Sequence, residues 1–69
     1  MWRVQMIPAR RQYTRGQIRN TLCVRESDAR DKFAALVDKH RDGRRWHIFL
    51  ERKVGARYQV VETFNGWWP

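Results

Sequence analysis

Three arginines and one tyrosine crowd into the segment PARRQYTRGQ, residues 8–17. A guanidinium is always charged and offers a planar fork of donors that matches phosphate or carboxylate oxygens two at a time. Arg10, Arg11 and Arg15 on a hairpin tip could therefore hold phosphates, while Tyr13 stacks or bonds a phosphate oxygen. The same composition suits an ordinary solvated loop. Residues 8–17 are nevertheless a long connection for a hairpin, and long loops in compact domains tend to be functional or disordered. The length favours function.

Catalytic chemistry has few candidates. His40 and His47 are the only histidines, and their spacing across a helix end and a turn matches no metal motif. His40 reads as a helix-end residue favoured by the dipole, and His47 as a strand surface group. Cys23 reads as a small, half-buried apolar residue, and no base–nucleophile or carboxylate pair stands out. No glycine pattern for phosphate binding is present. The expectation is a protein that is not an enzyme and uses no metal or cofactor.

Charge narrows the partners. Fifteen basic residues, only three of them lysine, stand against seven acidic ones, giving a net charge of +8. Such a charge raises association with polyanions, so nucleic acid (DNA or RNA) ranks first and an acidic protein second. An anionic membrane ranks a distant third, because the helix lacks a basic polar face. At 69 residues the chain forms one small domain, residues 1–69, with a marginal core. The single cysteine excludes an internal disulfide, so packing by large side chains must suffice, with a homodimer as one further source of stability. The start MWRVQMIPARR lacks the apolar stretch of a secretory signal, and no run is long enough to cross a bilayer. A cytoplasmic protein is expected.

The elements that must position these groups follow from periodicity. A helix over about residues 28–41 carries Ala29, Phe33, Leu36, Val37 and His40 on one stripe, with Ser27 or Asp28 as N-cap and Gly43 as stop. Strands are expected at about 2–7, 17–25, 45–53 and 57–64, with Pro8 ending the first and Gly55 turning between the last two. Glu62 interrupts an apolar side, which predicts a bulge or an early strand end there. The order strand, strand, helix, strand, strand predicts an α+β fold, a small ββαββ domain with a mainly antiparallel sheet and one helix on one face. The expected core is Trp2, Val4, Met6, Ile18, Leu22, Val24, Phe33, Leu36, Val37, Trp46, Ile48, Leu50, Tyr58, Val60 and Phe64.

That alternation leaves the other sheet face to Arg3, Gln5, Arg19, Thr21, Arg25, His47, Lys53, Arg57, Gln59 and Thr63, with Phe49 and Val61 among them. Cations around an exposed ring suit single-stranded nucleic-acid platforms, although any half-buried sheet has a polar outer side. The leading expectation is a non-enzymatic nucleic-acid-binding module using Arg10, Arg11, Arg15, Arg19, Arg25 and Arg57 on phosphates. Tyr13 and Phe49 would stack. The tail FNGWWP supports an alternative. Asn65-Gly66 signals a turn, after which Trp67 and Trp68 would fold back or stay exposed. With Trp2, they could dock a partner protein, as in a small binding or inhibitory module. In size and economy the chain resembles phage- or plasmid-encoded accessory proteins.

Overall fold

Val4 and Met6 alternate with Arg3 and Gln5, and Ile48 and Leu50 alternate with His47 and Phe49. These two half-apolar runs form the central pair of an antiparallel sheet. The computed structural model describes residues 1–67, in the order β1 (Trp2–Pro8), a 3₁₀ turn (Arg15–Gln17), β2 (Arg19–Cys23), α1 (Glu26–His40), β3 (Trp46–Val54) and β4 (Arg57–Phe64). The sheet order is β2-β1-β3-β4. Because β1 runs antiparallel to both neighbours, β2 and β3 are parallel with β1 between them. Their connection must cross over one face, and α1 is that crossover. The α+β class and the ββαββ order are as expected.

The helix lays Ala29, Phe33, Leu36 and Val37 on Val4, Met6, Ile48 and Leu50, with Trp2, Cys23, Trp46 and Phe64 around the rim. Ala29 is fully buried, so the helix approaches the sheet closely at that turn. The helix begins earlier than expected, with Arg25 rather than Ser27 or Asp28 at the N-cap and no side-chain cap bond. Only residues 24 and 25 separate β2 from α1, which leaves Ser27 and Asp28 inside the first turn. At the other end, the Arg44 N–H donates to the His40 carbonyl at 2.8 Å. Arg44, not Gly43, adopts the left-handed conformation (φ 51°). An L-residue there costs about 1–2 kcal/mol.

Two strands differ from the expected pattern. In β2, the pairs Trp2↔Cys23, Val4↔Thr21 and Met6↔Arg19 put Cys23, Thr21 and Arg19 on the helix side. Leu22 and Val24 are exposed, at 62% and 80%, and Ile18 lies outside the core. A one-residue change of register moves every side chain to the opposite face. This edge strand is short, and α1 packs mainly over β1 and β3, so little burial is at stake in its phase. In β4, the register shifts between Leu50 and Glu51, opposite Val61. The bulge signalled by Glu62 is therefore present. Its effect is to keep Phe64 and Glu62 on the helix side and to turn Tyr58 and Val60 to the outer face.

The chain after β4 does not turn back at Asn65-Gly66. It continues beside β3, with the Gly66 N–H donating to His47 Nδ1 at 3.1 Å and the Trp67 N–H to the Arg44 carbonyl at 2.5 Å. Arg44 Nη2 in turn donates to the Asn65 carbonyl at 3.2 Å. A Cβ on Gly66 would lie 2.3 Å from the Trp46 carbonyl oxygen and 2.5 Å from that of Arg44. Glycine is required here for backbone to meet backbone.

Candidate nucleic-acid interface

Register decides which arginines can act together. The long loop springs from the end of the sheet where Pro8 faces Trp46 and Met6 faces Arg19. The Ala9 N–H donates to the Arg45 carbonyl at 2.9 Å, which fixes the root of the loop beside the connection from α1 to β3. The helix also ends here, with the His40 ring 6.1 Å from that of Trp46. One end of the sheet thus gathers Arg10, Arg11 and Arg15 from the loop, Arg19 from β2, and Arg41, Arg44 and Arg45 after the helix. The last three lie in RDGRR, the run that follows the helix directly.

The charge is segregated accordingly. Residues 8–19 hold four arginines and no acid, and residues 39–46 hold Lys39, Arg41, Arg44 and Arg45 against Asp42 alone. The rest of the chain carries seven basic and six acidic residues and nearly balances. Its ion pairs include Arg3–Glu51 at 2.8 Å, Arg30–Glu26 at 2.8 Å and Arg30–Glu62 at 3.0 Å. Arg11, Arg15, Arg19 and Arg41 make no ion pair among the described residues. Arg44 contacts a backbone carbonyl and lies 5.7 Å from the Phe64 ring centroid, and no carboxylate pairs with it among the described residues.

The loop has its own internal structure. The Thr14 N–H donates to Gln17 Oε1 at 3.0 Å, and the Gln17 N–H returns to the Thr14 carbonyl at 3.0 Å. This reciprocal pair holds the 3₁₀ turn that carries Arg15. Tyr13 precedes it and is 45% exposed. Arg10, Arg11 and Arg15 are all exposed.

The remaining expected site residues lie elsewhere. Arg25 caps the helix and Arg57 opens β4, where it pairs with Val54. From Arg45 to Val54 along β3 is roughly 30 Å at about 3.3 Å per residue. Arg25 and Arg57 therefore belong to the opposite end of the sheet. Trp2 also lies there, half-buried against the core and opposite Cys23 and Arg52. It does not share a surface with Trp67, which is 69% exposed beside Arg44. Trp68 lies outside the described residues.

The outer sheet face is less basic than the alternation implied, because Arg19, Thr21, Arg57 and Gln59 take the helix side by register and Arg25 has left the sheet. Its centre is an ion pair. Glu51 is only 6% exposed, receives the Arg3 Nε–H, and is screened by the Tyr58 ring lying 4.0 Å from the same guanidinium. The Glu51 hydrogen bond raises the pKa of Arg3, against partial burial, which lowers it. Phe49 is half-buried beside His47, with ring centroids 6.4 Å apart. His47 accepts the Gly66 N–H at Nδ1. His40 has its pKa lowered by burial and then by the neighbouring Lys39 charge.

No group of three or more His, Cys, Asp or Glu that could hold a metal ion occurs among the described residues. No described helix is long and apolar enough to cross a membrane. Comparison with protein-family models, curated proteins and solved structures gave no match.

Proposed function

We propose that this chain is a non-enzymatic nucleic-acid-binding module that grips phosphates with the arginine-rich end of its sheet. The observation that carries the reading is the segregation of charge. Nearly all the net charge sits on two adjacent segments, and the rest of the molecule is close to neutral. Solubility alone would be served by cations dispersed over the surface. Concentrating like charges at one end destabilises the fold and focuses the field on an incoming polyanion. Arg44 supports the same reading, because it occupies a left-handed position that glycine would fill at lower cost. Arg10, Arg11, Arg15 and Arg19 act with Arg41, Arg44 and Arg45. Arg25 and Arg57 are left outside the contact.

The test is the affinity of the chain for short single- and double-stranded oligonucleotides across a salt series. The expected result is a log–log slope of about −0.7 to −0.9 per phosphate neutralised. Absence of binding at low salt removes the proposal.

One observation favours a second reading, a small protein-binding or inhibitory module steered by its arginines to an acidic partner. Trp67 is a large exposed ring on a fixed backbone, as at a protein hot spot. Under that reading, Trp67→Ala abolishes a protein complex seen by light scattering, and oligonucleotides leave the chain unbound.

A further inference from the structure

The nature of the nucleic acid follows from the aromatic group placed at the basic end. Four chain segments lie side by side there: β2, with Arg19 opposite Met6; the end of β1, with Ala9 bonded to Arg45; the start of β3; and the tail, with Gly66 against Trp46. At about 4.8 Å between neighbours they form a strip roughly 14 Å wide. Trp67 closes one edge of it. A tryptophan on a free tail would be exposed because nothing holds it. This one is exposed although its backbone is anchored, by its own N–H on the Arg44 carbonyl and by Gly66 seated against Trp46 and bonded to His47. The ring is thus displayed from a fixed point, and ordering it on binding costs little backbone entropy.

A duplex offers this arrangement little. Its phosphates line the outside, but its base faces are stacked and closed except at the ends. A single strand offers both phosphates and unstacked base faces, and a ring among cations is the pairing that single-strand platforms use. Tyr13, exposed in the arginine loop, provides a second ring.

We infer that the basic end binds single-stranded nucleic acid, with a base stacked on Trp67 while Arg44, Arg45 and the loop arginines hold the flanking phosphates. This inference rests on the nucleic-acid reading above and assigns Trp67 to a base instead of a protein.

The experiment measures binding of a fluorescent 12-nucleotide single strand and of a blunt duplex of the same sequence, for the wild-type chain and Trp67→Ala, Trp67→Phe and Arg11→Gln. The expected result has three parts. Trp67→Ala weakens single-strand binding by about 5- to 150-fold, the range seen when a stacking ring is truncated, without changing the salt slope. Trp67→Phe recovers most of the affinity, and duplex binding is unaffected by either change. Arg11→Gln instead flattens the slope by about 0.7, the loss of one phosphate contact to a single strand. If Trp67→Ala binds the single strand as wild type does while Arg11→Gln flattens the slope, the stacking inference falls and the nucleic-acid reading stands. If the wild-type chain binds neither oligonucleotide, both fall. Circular dichroism of Trp67→Ala checks that the exposed substitution leaves the fold intact.

Discussion

Replacing Gly66 by alanine tests whether the tail is anchored as described. The new Cβ would sit 2.3 Å from one backbone oxygen, 2.5 Å from a second and 2.7 Å from a carbonyl carbon. All three are backbone atoms of Arg44 and Trp46 and cannot step aside as a flexible side chain would. The cheapest relief is for residues 65–67 to lift away. That releases three hydrogen bonds, Gly66 to His47, Trp67 to Arg44 and Arg44 to Asn65. At about 0.5–1.5 kcal/mol net each, their loss sets a ceiling of roughly 1.5–4.5 kcal/mol. Freed backbone recovers about 1–2 kcal/mol of conformational entropy per residue, which over residues 65–67 cancels most of it. The expected net cost is therefore small, at most about 1.5 kcal/mol, a fall in Tm of no more than roughly 12 °C for a domain of this size. The core beneath stays folded. Hydrogen exchange resolves the two levels. The Gly66 and Trp67 amides lose protection in Gly66→Ala, while those of Val4 and Ile48 keep theirs. A variant with unchanged Tm and protected Gly66 and Trp67 amides would refute the close approach on which the Trp67 geometry depends.

Other consequences follow from particular contacts. Arg44→Gly should be more stable than Arg44→Ala by about 1 kcal/mol in chemical denaturation, because both remove the side chain and only glycine fits φ 51° without strain. Equal stabilities would contradict the left-handed assignment. Arg3→Met, which strands the buried Glu51 carboxylate, should cost about 2–4 kcal/mol, more than Glu51→Gln, and Arg3→Met with Glu51→Leu should recover part of the loss. His40 has a folded pKa below its unfolded value near 6.5, so the unfolded chain takes up the proton more readily. Stability is then complete above about pH 6.5 and declines as pH falls through the folded pKa, and His40→Gln should flatten the difference in Tm between pH 7.5 and 5.5. An identical pH difference in the variant would count against the partial burial of the ring. Ile48→Ala should cost about 2–5 kcal/mol, whereas Leu22→Thr should change stability by less than about 0.5 kcal/mol, which distinguishes the observed β2 register from the opposite one.

The parts of the fold legible in the sequence are those where burial enforces a pattern. Val4, Met6, Ile48 and Leu50 alternate cleanly because β1 and β3 are paired at both edges and bury one face against the helix, and the stripe Ala29, Phe33, Leu36 and Val37 is unambiguous. The edges are different. Leu22 and Val24 imitate a buried side in a strand that the helix scarcely covers. Tyr58 and Val60 do the same in a strand whose phase changes at a bulge. Glu62 signalled the bulge, but not which segment would be displaced. Asn65-Gly66 has the composition of a turn, yet that glycine serves a close approach of two backbones, which no local pattern encodes. The basic loop was visible from residues 8–17 alone. Its partner, Arg41 with Arg44 and Arg45, was not, because only the pairing of Ala9 with Arg45 brings the two runs together.

Where phosphates bind on this molecule is directly measurable. Log affinity for a single-stranded oligonucleotide against log salt concentration, compared between Arg11→Gln/Arg15→Gln and Arg25→Gln/Arg57→Gln, is the most direct test. The first variant should lower the magnitude of the slope by about 1.4, two contacts at about 0.7 each, and the second should leave it at the wild-type value. An equal loss in both variants, or a loss only in the second, would contradict a binding site at the loop end of the sheet.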